Sequence, residues 1–269
     1  MDPLYSMKRE MLRRKLSPRT VKTYIAYVKK FIAFQNGKDY KKYSKKDVRA
    51  FLYELEQREV SGSTLNVAHN ALRFLMIDVL HKACYLKIKY AKTPERAVTY
   101  LTRDEVRRVI AAITNPKHKL LVSLMYGAGL RVREVTCLKT GDFSFEEHIG
   151  WVRGGKGNKD RPFIIPQKII GELKDCCEKN SYWLFPGRHG PLSTRSVQEI
   201  VRVAGLKVQL KKHVHPHMFR HSFTTHLLEE GVDVNSVQCL LGHVRPETTL
   251  GYAHHIRPKM ISIKSPLDR

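Results

Sequence analysis

Acidic side chains are scarce in this chain: 25 Asp and Glu stand against 49 Lys and Arg in 269 residues, a formal net charge of +24. Cysteine is sparse as well, and its five copies, Cys84, Cys137, Cys176, Cys177 and Cys239, form no Cys-x-x-Cys pair. An odd number without paired spacing argues against a disulfide framework, so reduced thiols filling core space are expected. Long apolar runs are missing too. The longest, Leu120 to Leu130, is interrupted by Ser123 and falls far short of the ~20 residues that span a bilayer. Met1 to Leu12 is charged and has no apolar centre, so no secretory signal is visible and a cytoplasmic protein is expected. Neither Gly-x-x-x-x-Gly-Lys-Ser/Thr nor Gly-x-Gly-x-x-Gly occurs, which removes the usual phosphate-cradling nucleotide loops. Low-complexity tracts and internal repeats are likewise absent.

What is present is positive charge, spread over the whole length. Residues 1–96 hold 22 Lys and Arg against 9 Asp and Glu, and residues 97–269 hold 27 against 16. An apolar fraction of 42% describes a globular protein long enough for one large domain or two ordinary ones. Charge of this kind suits nucleic acid or an anionic membrane, and no strongly amphipathic terminal helix points to the membrane. Nucleic acid is the expected partner.

The first ninety residues read as four short helices. One is expected over about 3–15. Ser17-Pro18 caps a second, in which Val21, Tyr24, Ile25, Val28, Phe31 and Ile32 recur at helical spacing until Asn36-Gly37. Ser44, with Asp47 three residues on, caps a third, and Ser61-Gly62-Ser63 introduces a fourth running from about Leu65 to His81. Lys22, Lys29, Lys45 and Arg73 stand on their outer faces as candidate phosphate contacts. Residues 86–99 lose all period and read as a basic linker between a domain at 1–85 and a larger one at 100–269. The second domain opens with the capping box Thr102-Arg103-Asp104-Glu105, continues as helix over about 116–127, breaks at Gly127-Ala128-Gly129 and restarts near Arg131. From His148 to Pro166 the period becomes two, predicting a β-hairpin with a cationic turn at residues 154–160. The remainder to about 256 reads as helix with loops at Pro186-Gly187, Gly205 and Gly231. The fold class is therefore mainly α with a small antiparallel sheet, an α+β arrangement.

Cleaving a phosphodiester without a metal needs cations on the phosphate, an in-line nucleophile, and an acid for the leaving oxygen. Arg131 and Arg220 suit the first need, since a guanidinium fork meets two non-bridging oxygens at once. Taken alone, each reads as a surface residue, a reading weakened by the apolar frames Gly-Leu-Arg131-Val and His-Met-Phe-Arg220-His. Lys156, between Gly155 and Gly157 on the hairpin turn, is either a solubilising lysine or a mobile general acid. Tyr252, one of twelve tyrosines, reads as core or as a phenol nucleophile. A free phenol titrates near ~10, so attack at neutral pH needs cations or a base nearby, for which His217 and His243 are candidates. His213, His215, His217, His221 and His226 crowd one segment, but no His-Glu-x-x-His accompanies them and no metal is expected.

Assembled in order, these segments resemble the tyrosine recombinase (phage integrase) family. Gly129-Leu130-Arg131-Val132-Arg133-Glu134-Val135 resembles its first arginine box, and Gly155-Lys156-Gly157-Asn158-Lys159-Asp160-Arg161 its hairpin lysine motif. Pro216-His217-Met218-Phe219-Arg220-His221 with Leu240-Leu241-Gly242-His243 is similar to the second box, and Thr248-Thr249-Leu250-Gly251-Tyr252-Ala253-His254 to the nucleophile segment. The resemblance covers essentially the whole chain and is nearest to the short Xer-type recombinases, archaeal ones included. It implies an N-terminal helical, SAM-like core-binding domain and a catalytic domain that together form a C-shaped clamp on DNA.

In chemistry, the resemblance implies that Tyr252 attacks the scissile phosphate to leave a 3′-phosphotyrosyl link. Arg131 and Arg220 would hold the phosphate with help from His243, Lys156 would protonate the 5′-oxygen, and His217 would assist proton transfer at the tyrosine. Glu134 would buttress the site from behind. No cofactor or metal is required, because the bond energy is kept in the phosphotyrosine, and strands exchange through a Holliday junction within a tetrameric synapse. Arg133 stands where the family often has a small polar residue; it is expected on the opposite side of its helix, contacting DNA, as are Lys159 and Arg161. His221 and His226 are expected to pack or to bond backbone, and the tail at 256–269 to be capable of docking into a neighbouring protomer. Chromosome or plasmid dimer resolution is favoured over a mobile-element integrase because no added arm-binding domain is visible. A lone type IB topoisomerase-like enzyme and a non-catalytic DNA-binding protein are the remaining readings.

Overall fold

The computed structural model describes residues 2–82, 99–154, 160–242 and 265–268. The chain divides into two compact units, Met1–Arg96 and Ala97–Arg269.

In the first unit, helices α1 (Pro3–Arg13), α2 (Pro18–Phe34), α3 (Lys45–Gln57) and α4 (Gly62–Arg73) form, the last three at the caps read from the sequence. Asp2, Ser17 and Ser61 each accept a backbone N–H from the first turn, and Ser44 and Asp47 close a reciprocal capping box. Met7, Met11, Val28, Phe31, Val48, Phe51, Leu72 and Leu75 meet in one apolar core, where each fully enclosed side chain contributes roughly 1.5–3 kcal/mol. Phe31 packs edge-on against Tyr43 and Phe51, with ring centroids 5.0 and 5.6 Å away. The fourth helix departs from the expected run to His81. After Arg73 it widens into a π-helical turn, Phe74–Val79, with the Leu80 amide reaching back five residues to Leu75. Asp78 on that turn pairs with Arg14 at 2.7 Å.

The second unit builds around α5 (Arg103–Ala111), α6 (Pro116–Gly127) and the short α7 (Val132–Thr136). A three-stranded antiparallel sheet follows in the order β1 (Phe143–Ser144), β2 (Ile149–Val152), β3 (Arg161–Ile164). β2 and β3 are the arms of the expected hairpin, paired Ile149 with Ile164 through Val152 with Arg161. Pro162 is tolerated because β3 is an edge strand. Gly150 is needed beneath Phe163, whose ring would lie 2.2 Å from any Cβ there. α8 (Ile170–Lys179), α9 (Thr194–Lys207), α10 (Pro216–Glu229) and α11 (Val234–Leu241) complete the unit.

Two local expectations are corrected. The loop expected at Pro186-Gly187 is one arm of a small ribbon, β4 (Pro186–Gly187) with β5 (Gly190–Pro191). Gly205 is not a loop residue but lies inside α9, where an added Cβ would meet Val214 at 2.5 Å. The glycine is there for close packing and not for a turn. Of the cysteines, Cys137 is exposed instead of core-filling, and Cys176, Cys177 and Cys239 are half-buried free thiols. Ser265 to Asp268, at the far end of the expected tail, pack on their own unit: Ser265 Oγ donates to Gly127 O at 2.5 Å, and the Asp268 carboxylate accepts from the amides of Gln167 and Lys168.

Candidate active site

Three helix ends converge on one buried carboxylate. α6 stops in a left-handed turn at Gly129, φ +60°, with the Leu130 amide bonded back to Met125 and the Gly129 amide to Tyr126. A Cβ on Gly129 would strike the Phe223 ring at 2.5 Å, so both the backbone angle and the space require glycine. That sharp stop places Arg131 at the N-cap of α7. Glu134, one turn on, accepts from the Arg131 amide at 2.8 Å and from its guanidinium at 2.6 Å.

Arg220 reaches the same place from α10, whose core-facing side buries Met218, Phe219 and Phe223. Its guanidinium donates to Gly129 O at 2.7 Å and to Leu241 O, at the end of α11, at 2.6 Å. It lies 3.7 Å from Glu134 Oε2. The Arg220 side chain is thus fixed by two carbonyls before any ligand arrives, which lowers the entropy lost on binding. Burial, then the neighbouring charges of Arg131 and Arg161, push it down to about 9, so it remains a cation at neutral pH. Burial works to raise the Glu134 carboxyl, but the charge of Arg161 and the hydrogen bonds and charge of Arg131 outweigh it, and the group is held below the ordinary carboxylate range.

Arg161 was expected on the DNA-facing surface with Lys159. The structure turns it inward: it is 9% exposed, with one arm on Glu134 Oε2 and the other on Leu240 O, each at 2.7 Å. Strand parity carried the signal, since Arg161 shares its β3 face with Phe163 and is in step with Ile165, both buried. Arg133, in the first turn of α7, is exposed.

His217 lies exposed in the first turn of α10, its ring 6.5 Å from those of His215 and His221. His226 packs as expected, buried with Nδ1 2.9 Å from the Tyr126 hydroxyl, whereas His221 is exposed. Among the described residues no group of three or more His, Cys, Asp or Glu could hold a metal ion. Lys156, Lys159, His243 and Tyr252 lie outside the described residues. Lys22 and Lys29, two helical turns apart on α2, are exposed, as is Arg73; Lys45 is half-buried at the start of α3. Beside Lys22, Tyr27 and Lys30 form a cation–aromatic pair 5.4 Å apart. No helix among the described residues is long and apolar enough to cross a membrane.

The site therefore presents Arg131 and Arg220 as an oriented cationic pair with Glu134 behind them, an arrangement suited to a phosphate. Residues 99–257 match the phage integrase family, and residues 4–84 match its N-terminal SAM-like domain. The chain is 37% identical over 246 residues to the tyrosine recombinase XerA of Thermococcus kodakarensis, covering 88% of this chain and 84% of that protein. It is similar to the crystal structure of XerA recombinase at 28% identity, with a TM-score of 0.52 over 94% of this chain and 92% of the other. A lambda integrase dimer bound to a COC′ core site shares the fold at 18% identity, with a TM-score of 0.69 over 90% of this chain and 94% of that one. The chain belongs to the phage integrase family and is a tyrosine-type site-specific recombinase, an enzyme that breaks and rejoins DNA.

Proposed function

We propose that this recombinase cleaves duplex DNA through Tyr252, leaving a 3′-phosphotyrosyl link and a free 5′-hydroxyl. The observation that carries the reading is the Arg131–Glu134–Arg220 cluster, where two guanidiniums are oriented by a shared carboxylate and by the carbonyls of Gly129 and Leu241. Such a pair meets the charge that develops on a pentavalent phosphorane, and fixed donors cost no reorganisation at that moment. His243 adds a hydrogen bond to the phosphate, Lys156 protonates the leaving oxygen, and His217 assists the phenol proton. Attack by a partner strand's 5′-hydroxyl reverses the step, so strands exchange through a Holliday junction in a four-protomer synapse. Both units contribute contacts to the duplex. Exposed Lys22, Lys29, Arg73 and Arg133, with Lys45 and Lys159, supply contacts to the backbone.

The biological role proposed is resolution of chromosome or plasmid dimers in the cytoplasm, supported by likeness to the XerA recombinases. The test uses a duplex selected by the protein from a random-sequence pool and nicked close to the cleavage point. Wild type forms a covalent adduct that Tyr252→Phe abolishes. An adduct persisting in Tyr252→Phe removes the assignment, and exchange between two duplexes that depends on the selected sequence separates a recombinase from a lone nicking and closing enzyme.

A further inference from the structure

Arg161 is spent entirely on the protein's interior, its side chain only 11% exposed. A helix C-terminus carries unpaired carbonyls and partial negative charge. At the end of α11 two consecutive carbonyls are met by guanidiniums from different elements, Leu240 O by Arg161 of β3 and Leu241 O by Arg220 of α10. The second arm of Arg161 binds Glu134, which also holds Arg131. A continuous run of charge-assisted hydrogen bonds thus joins α7, β3 and the end of α11. Gly242, φ +64°, closes the back of this arrangement, since a Cβ there would lie 2.6 Å from Arg161 Cδ.

Resting on the reading above, we propose that Arg161 is a positioning residue for strand cleavage. It registers the end of α11, after which the chain runs on in sequence to His243 and Tyr252, against the Arg131–Glu134–Arg220 clamp. It also fastens the strand that follows Lys156, five residues earlier in the chain, to both. Without Arg161 the Leu240 carbonyl loses its guanidinium partner and Glu134 loses its nearest cation on one oxygen. The clamp residues remain present, but the end of α11 and β3 are no longer held in register with them. Misplacement by about 1 Å costs on the order of 10²-fold in rate. Because Arg161 does not face solvent, DNA affinity is untouched.

The experiment compares wild type, Arg161→Ala and Arg161→Lys on a nicked duplex selected by the wild-type protein from a random-sequence pool. Adduct formation is followed at saturating protein, and the dissociation constant is measured across a salt series. Arg161→Ala is expected to form adduct about 10²-fold more slowly with affinity and salt slope unchanged. Guanidinium ion below denaturing concentration restores part of that rate, and Arg161→Lys recovers less than wild type because one ammonium cannot span two separated acceptors in the guanidinium's planar geometry. Adduct formation at the wild-type rate overturns the proposal. So does lost affinity with a salt slope shallower by about one, the mark of a phosphate contact. Should Arg161→Ala fail to fold, Arg161→Lys decides on the same two readouts. A wild type that forms no adduct removes the Tyr252 chemistry itself and the coupling with it.

Discussion

Glu134 shows how one side chain organises several. Its carboxylate is the sole anion within salt-bridge reach, among the described residues, of Arg131, Arg161 and Arg220. Glu134→Gln keeps the shape but leaves three guanidiniums without their counter-charge, a loss of about 3–5 kcal/mol for breaking a buried pair. Equilibrium urea unfolding at neutral pH should show it as a lower midpoint with an unchanged slope. The pH dependence has a definite sign. The folded carboxyl titrates below its unfolded value of about 4.3, so its contribution is full above that value and lost as pH falls through the lower folded one. The gap between wild type and Glu134→Gln should therefore close on acidification, and a gap that stays constant would argue that the pairing contributes nothing.

At the scale of elements, packing overrides propensity where backbones come close. Gly205→Ala should gain roughly 1 kcal/mol of helix propensity on α9. Its new methyl, however, meets Val214 at 2.5 Å at the Cγ2 and 2.7 Å at the Cβ, and overpacking costs about 1–3 kcal/mol. A lower melting temperature is expected for this variant, and a higher one would show that the loop before α10 yields freely. The same contrast explains what could be read in advance. Caps at Ser17, Ser44, Thr102 and the apolar spacing of α2 were legible because they are local. The convergence of Arg131 and Arg220 was legible through their motifs. The inward turn of Arg161 left only its strand parity as a signal, outweighed because a basic residue beside a cationic hairpin turn suggests solvent and its partners Glu134 and Leu240 are 27 and 79 residues away. The π-helical turn at Phe74–Val79 and the β4–β5 ribbon escaped for a related reason: neither leaves a period in six residues or fewer.

For the whole molecule, the excess of 49 basic over 25 acidic residues sets the response to salt. If six to ten phosphates are contacted, affinity for duplex DNA should fall by roughly 10³–10⁵ between about 50 and 200 mM salt. Titration at several salt concentrations gives the number of contacts from the slope, and a flat response would exclude extensive backbone binding.

The end of α11 carries a consequence of another kind. Its contacts to Arg161 and Arg220 are made by main-chain oxygens at Leu240 and Leu241, which every amino acid possesses. Exchanging the residue types at those positions leaves both oxygens in place. Removing a single residue from the helix turns every later carbonyl by about 100° and presents neither to its arginine. This part of the enzyme should therefore be permissive toward spelling and intolerant of changes in length.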